Sequence, residues 1–220
     1  MFVRSWMTRD LVTVPPTASI ADAAVAMARR KIRRVLVTED DGARLVGLVS
    51  SHDVARAFPP DVNPFGADPS RFARGVHDRR VADIMARRLW TTTPGAAIDD
   101  VARTLREHRV GAMPVVDGGR PVGIITESDV FRAFVDLIGV PEGLRIVLGL
   151  RAGDDPVAFA LGAARARGAR VATVLTTDRD GPALAALRFL GGGLEPLVDD
   201  VWRSGHTVLD VRTPGGASSR

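Results

Sequence analysis

The sequence contains no cysteine and no tyrosine, and Lys31 is its only lysine. Without cysteine there are no disulfides, no thiolate metal ligands and no cysteine nucleophile, and the chain suits a reducing compartment. No apolar run approaches the ~20 residues that cross a bilayer. Met1-Phe2-Val3-Arg4-Ser5-Trp6 lacks the apolar stretch of a signal peptide, so a cytoplasmic location is expected, with no membrane partner. Charge of one sign is missing too: 30 basic and 26 acidic residues are interspersed and leave a net charge of +4, which is not a polyanion-binding distribution. His52, His77, His108 and His206 are scattered, with no two at metal-ligand spacing, and no metal is expected. P-loop, Gly-x-Ser-x-Gly and His-Glu-x-x-His elements are absent. With no nucleophile–base pair in view, the expectation is a protein that is not an enzyme.

What the chain does have is a repeat. Gly47-Leu48-Val49-Ser50-Ser51-His52-Asp53 returns as Gly123-Ile124-Ile125-Thr126-Glu127-Ser128-Asp129. Upstream, Val3, Met7, Arg9, Leu11, Thr13, Pro16, Ala18, Ile20, Asp22 and Ala24 return as Val81, Met85, Arg87, Leu89, Thr91, Pro94, Ala96, Ile98, Asp100 and Ala102. Arg56-Ala57-Phe58 returns as Arg132-Ala133-Phe134. A unit recurring at roughly 76 to 78 residues sets the architecture, and it implies two equivalent sites facing each other.

The first repeat reads as strand 11–14, helix 19–30, strand 35–38, strand 45–49 and a helix from 51 to 58. Ala23, Ala24 and Met27 recur at helical spacing, with Ser19 as cap and Asp22 at its third position. Glu39-Asp40-Asp41-Gly42 is turn chemistry between two β-rich runs, hence a hairpin. The second repeat gives helix 98–106, strand 113–116, turn Asp117-Gly118-Gly119, strand 122–125 and helix 129–137. Between the halves, a breaker-rich loop, Pro59 to Arg80, serves as lid or spacer. The densest basic run, Arg29-Arg30-Lys31 with Arg33-Arg34, ends a predicted helix, where cations complement the dipole. Nucleic acid is not an expected partner.

Beyond Pro141-Glu142-Gly143 the repeat stops. Strand 144–150 is followed by a helix with Asp155 as N-cap, Pro156 at its first position and Gly168 at its close. Strand 171–176, turn 178–181, strand 183–189, helix 194–203 closed by Gly205, and strand 207–211 complete the order βαββαβ, that of a ferredoxin-like unit. Gly191-Gly192-Gly193 reads as the loop joining strand to helix. Trp6, Trp90 and Trp202 read as packing or interface anchors. The polar tail 213–220 is expected to be disordered. The fold class is therefore α+β, with domains at 1–58 and 81–140 joined by the linker 59–80, then a domain at 141–212.

Two readings fit the repeated motif. A hydroxyl residue followed three positions on by an acid, at a strand-to-helix junction, is a capping box, and Ser50 with Asp53, or Thr126 with Asp129, would satisfy free amides. The glycine before them would ease close backbone approach. Alternatively, the same helix start suits a phosphate, while the carboxylate one turn on accepts hydrogen bonds from a ribose diol. Thr13, Val14, Thr91, Thr92, Leu36 and Met113 would wall an adenine slot.

Two strand–helix–strand–strand–helix units ending in Gly-aliphatic-aliphatic-Ser/Thr-x-x-Asp resemble a tandem pair of CBS domains, a Bateman module. Arg4-Ser5-Trp6-Met7-Thr8, Ala82-Asp83-Ile84-Met85 and Met113-Pro114-Val115-Val116-Asp117 support the likeness, which covers residues 3 to about 138. It implies that Ser50, Asp53, Thr126 and Asp129 contact the phosphate and ribose of an adenosine compound such as AMP, ADP, ATP or S-adenosylmethionine, a regulatory ligand with no obligatory cofactor. The first repeat departs from the pattern at Leu36, where Pro114 stands in the second, and has two extra residues in its hairpin turn. His52 and Ser128 stand where the family often has an arginine, so Arg33, Arg34, His52 and Arg109 are the candidate phosphate contacts.

Residues 144–211 resemble an ACT domain, a βαββαβ module that pairs across subunits and senses small metabolites. Its ligand loop would be Arg151 to Pro156, with Gly153, Asp154 and Asp155 as candidates, although two aspartates repel a carboxylate ligand. The order of a CBS pair then ACT resembles proteins related to acetoin-utilisation regulators. The implied function is a homodimeric regulatory protein that senses adenosine compounds and acts on an unidentified regulated protein. The alternative is an interaction module without nucleotide, its hydroxyl–acid pairs serving as caps.

Overall fold

The computed structural model describes residues 1–57, 79–139, 142–178 and 182–213. Most of the expected lid or spacer at 59–80, His77, Phe58 and the tail beyond Thr213 lie outside the described residues. The chain divides into two compact units, Met1–Ala133 and Phe134–Arg220.

In the first unit, β1 (Thr13–Val14), α1 (Ile20–Arg30), β2 (Arg34–Glu39), β3 (Arg44–Ser50) and α2 (Ser51–Ala57) form the first repeat. The second comprises α3 (Ile98–His108), β4 (Ala112–Asp117), β5 (Arg120–Thr126) and α4 (Glu127–Ile138), a helix that continues past Ala133, the last residue of the unit. β2 and β3 pair antiparallel, as do β4 and β5, and each hairpin shifts register at the matching place, Val37/Thr38 and Val115/Val116. The capping box expected at Ser19 is present, with Asp22 N donating to Ser19 Oγ at 3.0 Å. Ala97 replaces that serine in the second repeat, and α3 has no side-chain cap. Lys31 and Arg109 close α1 and α3 in the left-handed region, so the basic run does end a helix. The two extra hairpin residues are taken up by Asp40, Asp41 and Gly42, all at positive φ.

The first strand is shorter than the expected 11–14. β1 pairs parallel with β2 only through Thr13 and Val14, while Leu36 N donates to Val12 O at 3.1 Å. In the second repeat Pro114 has no N–H to donate, and the corresponding strand shrinks to one bridge, Thr92 to Val115.

Each repeat opens with a 3-10 turn, Val3–Ser5 and Val81–Asp83, and these lead-ins are exchanged. Val3 N donates to Ala96 O at 3.0 Å and Thr8 exchanges two hydrogen bonds of 2.9 Å with Ile124. Reciprocally, Val81 N donates to Ala18 O at 2.9 Å, and Ala86 pairs with Leu48 at 2.9 and 3.0 Å. The core of the first repeat thus contains Val81 and Met85 beside Ile20, Ala23, Met27, Val35 and Val49. Fully burying one valine is worth about 1.5–3 kcal/mol, enough to hold a lead-in on the opposite repeat. The motif glycines make room for this. A Cβ on Gly123 would lie 2.7 Å from Met7 Sδ, and one on Gly47 would lie 2.6 Å from Met85 Sδ.

The second unit contains β6 (Leu144–Gly149), α5 (Pro156–Arg167), β7 (Ala169–Thr177), β8 (Leu184–Gly191), α6 (Leu194–Arg203) and β9 (Thr207–Arg212). The sheet order is β7-β8-β6-β9, antiparallel throughout, so the expected βαββαβ order is present. Burial alternates along β6 and β8, the period of a one-faced strand. Their inward residues, including Ile146, Leu148, Leu187 and Phe189, meet Ala160 and Ala164 of α5 and Leu197 and Val201 of α6. Asp155, Pro156 and Gly168 bound α5 as expected. α6 spans Leu194–Arg203 as expected, with Ser204 as its cap and Gly205 just beyond at φ 78°. Gly193 precedes α6 at φ 68°, and a Cβ there would sit 2.3 Å from Arg167 O, so the glycine triplet serves a tight strand-to-helix join.

Candidate functional site

Both repeated motifs occupy the junction of a strand with a helix N-terminus. Ser50 N donates to Asp53 Oδ2 at 2.9 Å, Ser50 Oγ donates to the same oxygen at 2.5 Å, and Asp53 N donates back to Ser50 Oγ at 3.2 Å. The second repeat reproduces this at 2.9, 2.8 and 3.3 Å between Thr126 and Asp129. The capping reading is therefore realised in both repeats. It uses one carboxylate oxygen of each acid. Asp129 Oδ1 accepts from Arg132 at 3.0 Å, whereas Asp53 Oδ1 has no hydrogen bond among the described residues.

Thr126 and Asp129 open onto a cavity of about 200 Å³. The exchanged lead-in supplies one wall through Thr8, Asp10, Leu11 and Val12, and the first repeat supplies another through Ile32, Arg33, Arg34 and Leu36. Ile124, Thr126 and Asp129 come from the second repeat. The site therefore combines both halves of the unit, with apolar walls, a hydroxyl, a carboxylate and two guanidinium groups. Arg34 is partly buried, and desolvation, then the neighbouring Arg33, hold its pKa below the ordinary arginine value, while Glu127 and Asp53 act to raise it.

Of the candidate residues, the structure brings Arg33, Arg34, Leu36, Thr126 and Asp129 together. Asp53 borders a separate hollow of about 280 Å³ with Arg56, Ala57, Arg79 and Ile84, where Arg79 donates to Ala57 O at 2.9 Å. Thr13 and Val14 line neither place; they border a hollow against the turn from Thr38 to Gly42. Leu11 and Val12, just upstream, take the cleft wall. Met113 is buried in β4 and Thr91 is exposed. His52 is exposed in the first turn of α2 and Arg109 is the exposed cap of α3; neither lines the described cleft. Thr8, Asp10, Leu11, Val12, Ile32 and Ile124 were not among the expected contacts. Only the exchange of lead-ins brings the first four there.

In the second unit, Gly153 adopts φ 91°. Asp154 accepts from Arg151 N at 2.8 Å, and Asp155 caps α5 through Val157 N at 3.0 Å and Ala158 N at 2.9 Å. Both aspartates of the expected ligand loop thus serve backbone amides. Among the described residues, no group of three or more histidine or acidic side chains is arranged to hold a metal, and no helix is long and apolar enough to cross a membrane.

The CBS domain model matches residues 3–60 and again 81–136, and the chain belongs to the CBS-domain family as a tandem pair. An uncharacterized protein of Methanocaldococcus jannaschii is 32% identical over 133 residues, which is 60% of this chain and 46% of that protein. The chain spans less than half the length of the curated relatives it matches first. One named as an enzyme, an L-aspartate semialdehyde sulfurtransferase of the same organism, shares 23% of its length with it. The CBS domain pair of protein MJ0100, in complex with 5-methylthioadenosine and S-adenosylmethionine, is 26% identical with TM-score 0.51, covering 62% of this chain and 97% of that one. CBSX2 in complex with AMP is 28% identical with TM-score 0.51, covering 63% and 98%. A Vibrio cholerae protein named for acetoin utilization (AcuB) is 25% identical with TM-score 0.51, covering 63% and 93%.

Proposed function

We propose that the chain is a regulatory sensor of adenosine compounds, with ligand held in the cleft between the two CBS repeats. The observation that carries this is the joining of Thr126, Asp129, Arg33 and Arg34 with Leu11, Val12 and Leu36 around one cavity. Adenine fits the apolar wall, the carboxylate accepts from ribose hydroxyls, and the hydroxyl, helix start and arginines receive phosphate. Asp129 is buried while its partner Arg132 is exposed, so a ribose hydroxyl would share or take over the Oδ1 that Arg132 now holds at 3.0 Å. Solved CBS pairs that hold AMP, S-adenosylmethionine or 5-methylthioadenosine support this reading. The βαββαβ unit is read as an ACT-like domain that dimerises the chain and passes ligand occupancy to a regulated protein. Such transmission requires different affinity for two states.

A thermal-shift panel of AMP, ADP, ATP and S-adenosylmethionine tests the proposal. Ligand at a hundredfold its dissociation constant adds about 2.7 kcal/mol, a shift of roughly 5–10 °C for a chain of this size. A second reading, an interaction module without nucleotide, is favoured by one observation: both acids already cap their own helices. It predicts no shift with any of the four compounds.

A further inference from the structure

Two helices cover the same face of the second unit's sheet, and they turn different sides outward. α6 buries Leu197 and Val201 on the sheet and exposes Glu195, Asp199 and Arg203. α5 buries Ala160 and Ala164 in the same way, yet its outward side is apolar as well. Val157 and Leu161 are 49% and 58% exposed there, in one row with Arg165, and the exposed Ala158, Gly162 and Ala166 form the row beside them. A helix that is apolar all round is one that is covered on both sides.

The charges at the two ends of that face say what covers it. Exposed Asp155 stands at its N-terminal end, and Arg165, near the C-terminal end, is the one charged side chain in those two rows. Among the described residues neither takes part in an ion pair, whereas Arg167, toward α6, is held by Asp200. A surface with an acid at one end and a base at the other is complementary to itself reversed, the relation a two-fold axis provides. The helix dipoles then run opposed. Gly162 leaves room for close approach, since a Cβ there would meet no atom within 4 Å. The sheet edges are poorer seats. Both edge strands slip register against their neighbours, β7 between Val171 and Thr173 and β9 opposite Val147 and Leu148, and such bulges blunt strand-to-strand pairing.

We infer that the outward face of α5 is the surface through which the second unit pairs with a second copy of this chain, helix against helix and antiparallel, each Arg165 meeting the partner's Asp155. The inference rests on the dimerising role proposed for this unit and adds to it the surface and its symmetry. Val157 and Leu161 provide the apolar contact, and Gly162 sets how closely the two helices approach.

Sedimentation velocity of the full chain over a range of concentrations tests this. The unaltered protein should sediment as a dimer. Leu161→Glu should raise the dimer dissociation constant at least about thirtyfold, the usual cost of losing a central apolar contact. Gly162→Gln, whose side chain meets open space in the single chain, should also raise it. Arg165→Glu should raise it about fivefold and Arg165→Lys should not. Thr176→Lys, on the β7 edge, should leave the dimer intact. Thermal unfolding of each variant shows whether it folds, and Val157→Lys replaces Leu161→Glu if the glutamate variant does not. A dimer that survives both Leu161→Glu and Gly162→Gln, or one lost only in Thr176→Lys, would overturn the inference while a dimeric regulator stands. A monomeric unaltered protein would overturn both the surface and the dimerising role, and nucleotide binding is read separately by thermal shift.

Discussion

Gly123 lies so close to Met7 that a Cβ at the glycine would stand 2.7 Å from the methionine sulfur and 3.1 Å from Thr8 O. Gly47 stands in the same relation to Met85 and Ala86 O, at 2.6 and 3.2 Å. The glycine of each repeated motif is the seat on which the other repeat's lead-in rests. The first lead-in then carries Thr8, Asp10, Leu11 and Val12 into the cleft wall.

Gly123→Ala should therefore destabilise the repeat pair by about 1–3 kcal/mol, the usual cost of overpacking, read as a lowered urea midpoint. Met7→Ala in the same chain should recover part of the loss, because the two sites are in contact. An unchanged midpoint in Gly123→Ala would show that the lead-in does not pack there.

Removing the capping hydroxyls separately tests the local role of the motif. Ser50→Ala and Thr126→Ala should each cost about 1 kcal/mol of stability, measured in denaturant without ligand. Only Thr126→Ala should also weaken AMP, because Ser50 does not line the described cleft. Equal weakening by both would move the site.

The second unit carries a pH-dependent ion pair. Arg167 holds Asp200 bidentately, Nε to Oδ2 at 2.6 Å and Nη2 to Oδ1 at 2.7 Å. The hydrogen bond from Arg167 keeps the Asp200 carboxyl below the ordinary carboxylate range. A depressed carboxyl stabilises the folded state above its unfolded pKa, and that contribution is lost as the pH falls through the folded value. Unfolding midpoints recorded between pH 7 and pH 2 should drop less steeply below about pH 4 for Asp200→Asn than for the unaltered chain. Superimposable profiles would show that the pair contributes nothing.

The repeat itself made most of the first unit legible, because glycine, hydroxyl and acid recur in register and each element's pattern could be checked against its copy. Helix caps were equally plain at Ser19, Asp155 and Gly168, where the signal lies in a few adjacent residues. The lead-in exchange was not legible. Nothing local in Met7 or Met85 states which repeat it will cover, since both glycine seats offer the same surface. That is why the cleft wall fell to Leu11 and Val12 and not to Thr13 and Val14. The tight space at Gly111 was hidden for a related reason: a Cβ there would lie 2.1 Å from Nη2 of Arg34, 77 residues away in sequence.

The most direct measurement is calorimetric titration of the full chain with AMP, S-adenosylmethionine and 5-methylthioadenosine, repeated on Asp129→Ala. The account predicts heat from at least one of them, at saturable stoichiometry, and no heat from that compound in the variant. Absence of heat from all three, with Asp129→Ala changed only by a loss of about 1 kcal/mol in stability, would contradict it and leave the acids as helix caps alone.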